Sequence, residues 1–292
     1  MIYFLLLGSY ILTSYILLKH PNILHKKKNL MFRAKHISHR GGAAERIENT
    51  MEAFRNAKAV GTDMLELDCQ LTKDGHVVVS HDDNLSRICN SQLCISETEY
   101  QHLPLLKEKV KVDFYQKMFG EGKDHRIPLL EDVFREFPDL AINIDIKVNN
   151  DILMKKNPKV PLIFSLRQVT LLLIFYWTGL LPFINLKESL LEIIVPGIML
   201  DSQELIDMPL SRKAKFVFWI MDKLLIRPSL IKHLDDRGIQ TYLWVLNREK
   251  DFDRAFKAGA TGVMSDRIVL LRKYLDSKIS TTQANFHEIK QD

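Results

Sequence analysis

At 292 residues, 46% of them apolar, the chain has enough hydrophobic material for one large domain or two smaller ones, which excludes general disorder. The formal charge of +5 is mild and gathers largely at Lys26, Lys27, Lys28, Arg33 and Lys35; no Lys/Arg stripe with interleaved aromatics points to nucleic acid. Cys69, Cys89 and Cys94 form no disulfide framework and lack zinc-knuckle spacing, so they read as reduced thiols of a cytosolic domain.

Residues 2–18 are uncharged and mostly apolar, near the lower limit of about 17 residues for a spanning helix, and Lys19 follows. A cleaved signal peptide wants basic residues before its apolar run and a small-residue cleavage site. Here no charged side chain precedes the run, and His20-Pro21 and the lysines follow it. The pattern predicts an uncleaved anchor over residues 1–19 and a basic juxtamembrane linker over 20–35. The positive-inside rule then leaves the rest in the cytosol. The sequon Asn84-Leu85-Ser86 agrees, because a glycan there would crowd His81.

From residue 36 strands and helices alternate, which argues for a parallel sheet or barrel. Residues 36–40 predict the first strand. Asn49 or Thr50 caps a helix with Met51, Phe54 and Ala57 on one face, and Gly61 ends it. Residues 64–72 predict the second strand; Lys73-Asp74-Gly75 turns the chain and Val77-Val78-Val79 returns as a hairpin arm. A helix over 129–137, stopped by Pro138, leads to a third parallel strand over 141–148. Further strands are predicted over 161–165, 197–200, 241–246 and 262–264, the last preceded by a helix over 250–257. Residues 277–292 read as a polar tail. Seven parallel strands result, against the eight of a (β/α)₈ barrel.

Residues 169–186, VTLLLIFYWTGLLPFINL, are a second uncharged stretch, interrupted by Gly179 and Pro182. A full crossing would put His39 and Trp244 on opposite sides of the membrane. An in-plane or shallowly inserted segment is therefore expected, with a buried helix and a second span as the alternatives. KFVFWIMDKLLI over 215–226 is amphipathic and suited to lie beside it.

His39, Glu66, Asp68, Asp145 and Trp244 all fall toward the ends of their strands, where a barrel places its site. Glu66 and Asp68 are two apart, so both point to one face. Two such carboxylates repel unless a cation sits between them, and oxygen donors suit Mg²⁺ or Ca²⁺. Asp145, two residues before Lys147, is the candidate third ligand. His39 and His81 flank this group as candidate general acid and base. Arg40 can fork onto phosphate oxygens, and Asn49 can donate to a phosphate or orient His39. The set suits metal-assisted hydrolysis of a phosphate ester. A pair of solvated strand-end charges is the plainer alternative.

HRGG, ENT, ELD, LTKDG, HD, RIPLLEDV and WVLN, in this order from His36 to about Leu275, resemble the glycerophosphodiester phosphodiesterase family. The N-terminal anchor and the LLPF stretch resemble its mammalian membrane-bound branch of lysophospholipases D. The resemblance implies a TIM-like barrel over residues 36–276 and a divalent cation. It also implies cleavage of lysophospholipids (lysophosphatidylcholine, lysophosphatidylethanolamine, N-acyl lyso forms) to lysophosphatidic acid and the head-group alcohol. It assigns His39 and His81 as acid and base, and Glu66 and Asp68 with Asp145 as ligands. Arg40, Asn49 and Lys147 fall to the substrate phosphate and Trp244 to the substrate. Asp145 stands where many members carry Glu. The family has another strand and helix where this chain has only residues 151–162, so the expected fold is an α/β TIM-like barrel lacking one βα unit, behind an N-terminal transmembrane helix. Water-soluble glycerophosphodiesters are the rival substrate, and a catalytically impaired lipid-binding isoform is the rival class. Expected partners are the substrate and membrane lipid, with no nucleic acid and no protein partner implied. The expected location is the endoplasmic reticulum or another internal membrane, with the catalytic domain cytosolic.

Overall fold

The computed structural model describes residues 1–113, 115, 117–147, 160–201 and 210–288, without side chains for 201 and 281–288. Its centre is a curled sheet. The strands are β1 (His36–Ser38), β2 (Met64–Leu71), β3 (Val77–Val79), β6 (Ala141–Ile146), β7 (Leu190–Ile194), β8 (Gln240–Trp244) and β9 (Gly262–Ser265). The parallel order is β7-β8-β9-β1-β2-β6, with β3 antiparallel to the end of β2. Ile163 adds a single parallel bridge outside β7.

Alternation along β2 explains both faces. Leu65, Leu67 and Cys69 point outward into a layer with Phe54, Ala57, Val133, Phe137 and Ile268. Met64 packs inside with Ile37, Leu190, Tyr242 and Met264, and Glu66 and Asp68 share that inner side. Both faces are covered, so the strand is buried along nearly its whole length. The outer layer comprises α2 (Met51–Val60), α3 (Leu130–Glu136), α4 (Leu166–Thr178), the short α5 (Ile198–Asp201), α6 (Arg212–Leu225), α7 (Pro228–Asp236), α8 (Glu249–Lys257) and α9 (Ile268–Glu288). Helix α2 begins as expected, with Thr50 Oγ1 accepting from Ala53 N and Gly61 closing it in the left-handed region. A small hairpin, β4 (Lys109–Lys111) and β5 (Phe119–Glu121), lies apart from the main sheet.

The barrel resemblance holds, with corrections. The strand expected at 197–200 is the helix α5, and the true strand is the neighbouring LLEII of β7. Its aliphatic residues pack on both sides of the sheet, which a short buried run does not announce by period. The first strand ends at Ser38, and His39–Gly41 is a 3₁₀ turn. Residues 161–165 contribute only the bridge at Ile163. The expected tail continues α9 to Glu288. The ladder therefore holds six parallel strands plus one bridge, and among the described residues no pairing joins β6 to Ile163. The chain between them, where a βα unit was expected to be missing, lies mostly outside the described residues. Across this seam Asn143 Nδ2 of β6 donates to Glu192 Oε1 of β7 at 2.6 Å, so the two ends of the sheet face one another across the interior.

Helix α1 (Ile2–Lys19) is the one described helix long and apolar enough to cross a membrane. It docks on the end of α4: Tyr10 Oη donates to Thr178 O and Ser14 Oγ to Gly179 O, both at 2.6 Å. A Cβ on Gly179 would lie 2.7 Å from Ser14 Oγ, so this approach requires glycine. Helix α4 has 13 residues, about 20 Å at 1.5 Å per residue, short of a hydrocarbon layer of about 30 Å. Leu172 and Leu181 are fully buried in the domain while Leu171, Ile174 and Trp177 are exposed, which is the half-buried pattern of a surface helix.

Candidate active site

The HRGG turn leaves β1 and lies directly on α2. A Cβ on Gly41, whose φ is +81°, would fall 2.8 Å from Ala53 Cβ, so only glycine permits this path. Arg40 and Asn49 also occupy the left-handed region, at φ +49° and +58°. Such backbone costs roughly 1 kcal/mol or more for a residue with a Cβ and persists where its surroundings hold it. Here the Arg40 N–H donates to Glu66 Oε2 at 2.8 Å, and Asn49 Nδ2 donates to Asp68 Oδ2 at 3.0 Å.

His39 is buried, and its Nδ1 lies 2.6 Å from Asp266 Oδ1. Asp266 is fixed in turn by Asn247 Nδ2 at 2.8 Å, and Asn247 Oδ1 accepts from Ser265 Oγ and the Asp266 N–H. Burial alone would lower the His39 pKa, but Asp266 and Glu66 outweigh it and the net shift is upward. Nδ1 being engaged, Nε2 is the nitrogen left to exchange a proton. His81 has the same arrangement at the opposite rim: its Nδ1 meets Asp82 Oδ1 at 2.7 Å.

An ion-pair network lies between the two histidines. Arg40 Nη1 donates to Glu48 Oε1 and Asp113 Oδ2, each at 2.9 Å, and its Nε lies 3.2 Å from Asp68 Oδ2. Arg87 clasps Glu48 with two N–H groups at 2.8 and 2.7 Å and reaches Asp82 Oδ2 at 2.6 Å. Burial pushes the Glu48 carboxyl upward, but Arg40 and Arg87 outweigh it and hold it below the usual range.

The carboxylates divide into compensated and uncompensated groups. Asp68 receives Lys147 Nζ at 2.9 Å as well as Asn49 and Arg40, and is held low against its burial. Glu66 is pushed up to about 7 by burial and then by Asp68. Glu192 rises to about 8 through burial and then Glu66. The side chains of these two have no cationic side-chain contact within salt-bridge distance among the described residues. Excess negative charge of this kind, on oxygen donors only, fits a hard divalent cation.

All the expected residues except Asn49 line one cavity of about 360 Å³, His39, Glu66, Asp68, His81 and Trp244 among them, and Glu192 joins them there. Ile163, Phe164 and Met264 give it an apolar side. The arrangement differs in detail from the expectation. Asp145 pairs in register with Asp68, but its side chain is 57% exposed and bound to Lys147 Nζ at 2.6 Å. Lys147 is likewise engaged by Asp68 and Asp145. Arg40 is committed inward, and Asn49 orients Asp68 while Asp266 orients His39. Glu66, Asp68 and Asp145 do not form a trio with mutually close donor atoms. Among the described residues His81, Asp82 and Asp113 do, with ligand atoms within 4.8 Å of one another, an acidic group able to hold a metal ion. Sequence reading passed over Glu192, Asp266 and Asp113. A lone carboxylate among the aliphatics of LLEII, and an Asp closing the last strand, were the available signals. Asp113 had none, since the β4–β5 hairpin brings it in.

The glycerophosphoryl diester phosphodiesterase family profile matches residues 39–270. A human lysophospholipase D GDPD1 is 47% identical over 299 aligned residues, covering 92% of this chain and 95% of that one. A human lysophospholipase D GDPD3 is 38% identical, covering 93% and 94%. In the first alignment 92% of 292 residues is about 269, so about 30 of the 299 positions have no counterpart here. A glycerophosphodiester phosphodiesterase structure from Thermotoga maritima shares the fold at a TM-score of 0.54 and 23% identity, covering 82% of this chain and 97% of that one.

Proposed function

The chain belongs to the glycerophosphoryl diester phosphodiesterase family, and from that premise we propose that it is a membrane-tethered lysophospholipase D that uses Mg²⁺ or Ca²⁺. Its products are lysophosphatidic acid and the head-group alcohol. The observation that carries this reading is one cavity joining two carboxylate-held histidines, a pair of carboxyls without a cationic partner and an apolar wall. Relatives named as lysophospholipases D match over nearly their whole length, whereas a bacterial relative named glycerophosphodiester phosphodiesterase is 29% identical.

A bound divalent cation supplies charge neutralisation at the phosphoryl oxygens. Glu66 and Glu192, with Asp68 beside them, are the residues that would hold it; Asp145 would assist only by leaving Lys147. Ile163, Phe164 and Trp244 seat the lipid part of the substrate. One histidine takes, through Nε2, the proton of the attacking oxygen: water, which gives lysophosphatidic acid directly, or the substrate's own glycerol hydroxyl, which gives a cyclic phosphate that a water molecule then opens to lysophosphatidic acid. The other protonates the leaving head-group oxygen, and the bond between that oxygen and phosphorus breaks. Asp266 and Asp82 hold the two rings in orientation. Arg40, linked to Asp68, Glu48 and Asp113, keeps the carboxylate framework in place.

Membrane lipid is the proposed partner surface. Helix α1 would cross the bilayer of the endoplasmic reticulum or a similar internal membrane, with the domain on the lysine-rich, cytosolic side. Helix α6 exposes Phe216, Val217, Met221 and Leu224 and is pinned to the domain by Asp222, which binds Gly197 N and Arg254. Beside it, α4 exposes Leu171, Ile174 and Trp177, and Arg227 stacks on Trp177. This apolar face suits an interface between water and acyl chains. The test is mass spectrometry of products from the purified full chain with lysophosphatidylcholine and glycerophosphocholine in parallel. Lysophosphatidic acid and choline, formed only with a divalent cation, are expected. Release of product no faster than from His39→Ala/His81→Ala would reject catalysis; preference for glycerophosphocholine would reject the lipid substrate. The absence of a β6–Ile163 pairing among the described residues favours one second reading, a lipid-binding isoform of reduced turnover.

A further inference from the structure

We propose that the cavity between the juxtamembrane linker and the loop after α4 is a separate binding site for a phosphate-bearing anion, presented as the head group of an anionic lipid. The cavity is about 410 Å³, and His25, Lys26, Lys28 and Arg237 line it with Leu24 and Leu186. No acidic side chain is among its lining residues. It shares no residue with the active-site cavity.

Arg237 carries the argument. It ends α7, is 3% exposed, and its Nη2 donates to Ile184 O at 2.9 Å, while Nη1 is buried without a hydrogen-bond partner. Among the described residues no carboxylate contacts the guanidinium within salt-bridge distance, and burial pulls its pKa down to about 10. An unpaired buried cation is costly to maintain unless something anionic completes it. A phosphate does so well, because its oxygens match the guanidinium fork.

The surroundings are built rather than incidental. The linker lies flat on the Arg237-Gly238 turn: Lys28 N donates to Arg237 O at 2.9 Å, and a Cβ on Gly238 would collide with Lys28 O. Lys28 Nζ donates to Lys187 O and Glu188 O at 2.8 and 2.6 Å, which points its charge at this corner. The Glu188 side chain is occupied by Gln168. His25 Nε2 meets Pro182 O at 2.6 Å, leaving Nδ1 free of that contact. Lys26 is exposed at the rim.

Position selects the source of the anion. Residue 24 is five residues beyond Lys19, where α1 ends, and His233 Nδ1 of α7 meets Leu18 O at 2.8 Å. With α1 in the bilayer, a reading this source depends on, the cavity sits at head-group depth. There, basic pockets beside helices take phosphorylated head groups. Leu24, half exposed, offers an apolar edge to the acyl chains.

The experiment compares the full chain in phosphatidylcholine nanodiscs with and without phosphatidic acid, reading the apparent thermal midpoint. Wild type should gain about 5 °C or more at saturation. Arg237→Met fills a similar volume without charge. It should match or exceed wild type in pure phosphatidylcholine, gain less than about 1 °C from phosphatidic acid, and keep wild-type turnover. A parallel arm adds sn-glycerol 3-phosphate to phosphatidylcholine discs. An equal gain there, lost in Arg237→Met, assigns the site to soluble phosphate esters and keeps the anion site. No gain from either additive, or a gain undiminished in Arg237→Met, overturns the proposal; the second result would mean that phosphatidic acid acts at the active site. Should Arg237→Met not fold, Lys26→Glu at the exposed rim decides: it should lose at least half of the gain, and an unchanged gain overturns the site.

Discussion

Replacing Glu48 by alanine should unsettle the ion-pair network of the site. Glu48 is 5% exposed and receives three N–H groups, one from Arg40 and two from Arg87. Removing one partner of a buried ion pair typically costs about 3–5 kcal/mol. Arg40 would retain Asp68 and Asp113, and Arg87 would retain Asp82, so the lower end, about 3 kcal/mol, is expected. Glu48→Gln keeps the volume and one acceptor but turns an amide N–H₂ toward a guanidinium, for about 2 kcal/mol. Urea unfolding of the full chain in detergent micelles measures both through the midpoint at unchanged slope. The pH dependence adds a second check. The Glu48 carboxyl is held below its usual value of 4.5 in the folded chain. Its contribution is therefore complete above that value and disappears as pH falls through the depressed one. The gap between wild type and Glu48→Ala should be widest near neutrality and narrow in acid below 4.5. A loss under about 1 kcal/mol at neutral pH, or a gap that widens in acid, would refute the reasoning.

His39→Ala and His81→Ala should each lower turnover at least about 10²-fold, the usual scale for general acid–base groups; near-normal turnover in either reassigns that histidine to a structural role. Glu66→Ala should abolish activity while leaving the fold intact, and a chelator should do the same to wild type; chelator-resistant turnover would remove the cation from the mechanism. A form with an added βα unit between Lys147 and Val160 should close the seam beside β6, melt higher and turn over faster. Equal melting and turnover in the two forms would show that the seam carries no penalty.

Much of the fold and half of the site were legible from residues alone, for identifiable reasons. The parallel strands at 36, 64, 141, 241 and 262 announce themselves through buried aliphatic runs closed by chemistry-bearing residues. Thr50 and Gly61 mark their helix by capping rules that act over four residues. The alternation of Glu66 and Asp68 with Leu65 and Leu67 fixes which groups face the interior, because a strand has a period of two. The exposed apolar face of α6 follows from its period in the same way. Local rules misread LLEII and GIML, which are both short apolar runs; only packing between β8 and the outer helices makes the first a strand. They also could not place partners. His39 finds Asp266 across 227 residues, Asn143 finds Glu192 across 49, and Arg40 finds Asp113 across 73. Sequence composition supplied the charges, but which carboxylates are neutralised by Arg40, Arg87 and Lys147, and which two remain without a cation, depends on distances that only the curled sheet sets. The same holds for Arg237, an ordinary arginine in the chain, which becomes an unpaired buried cation only when the linker folds back over it.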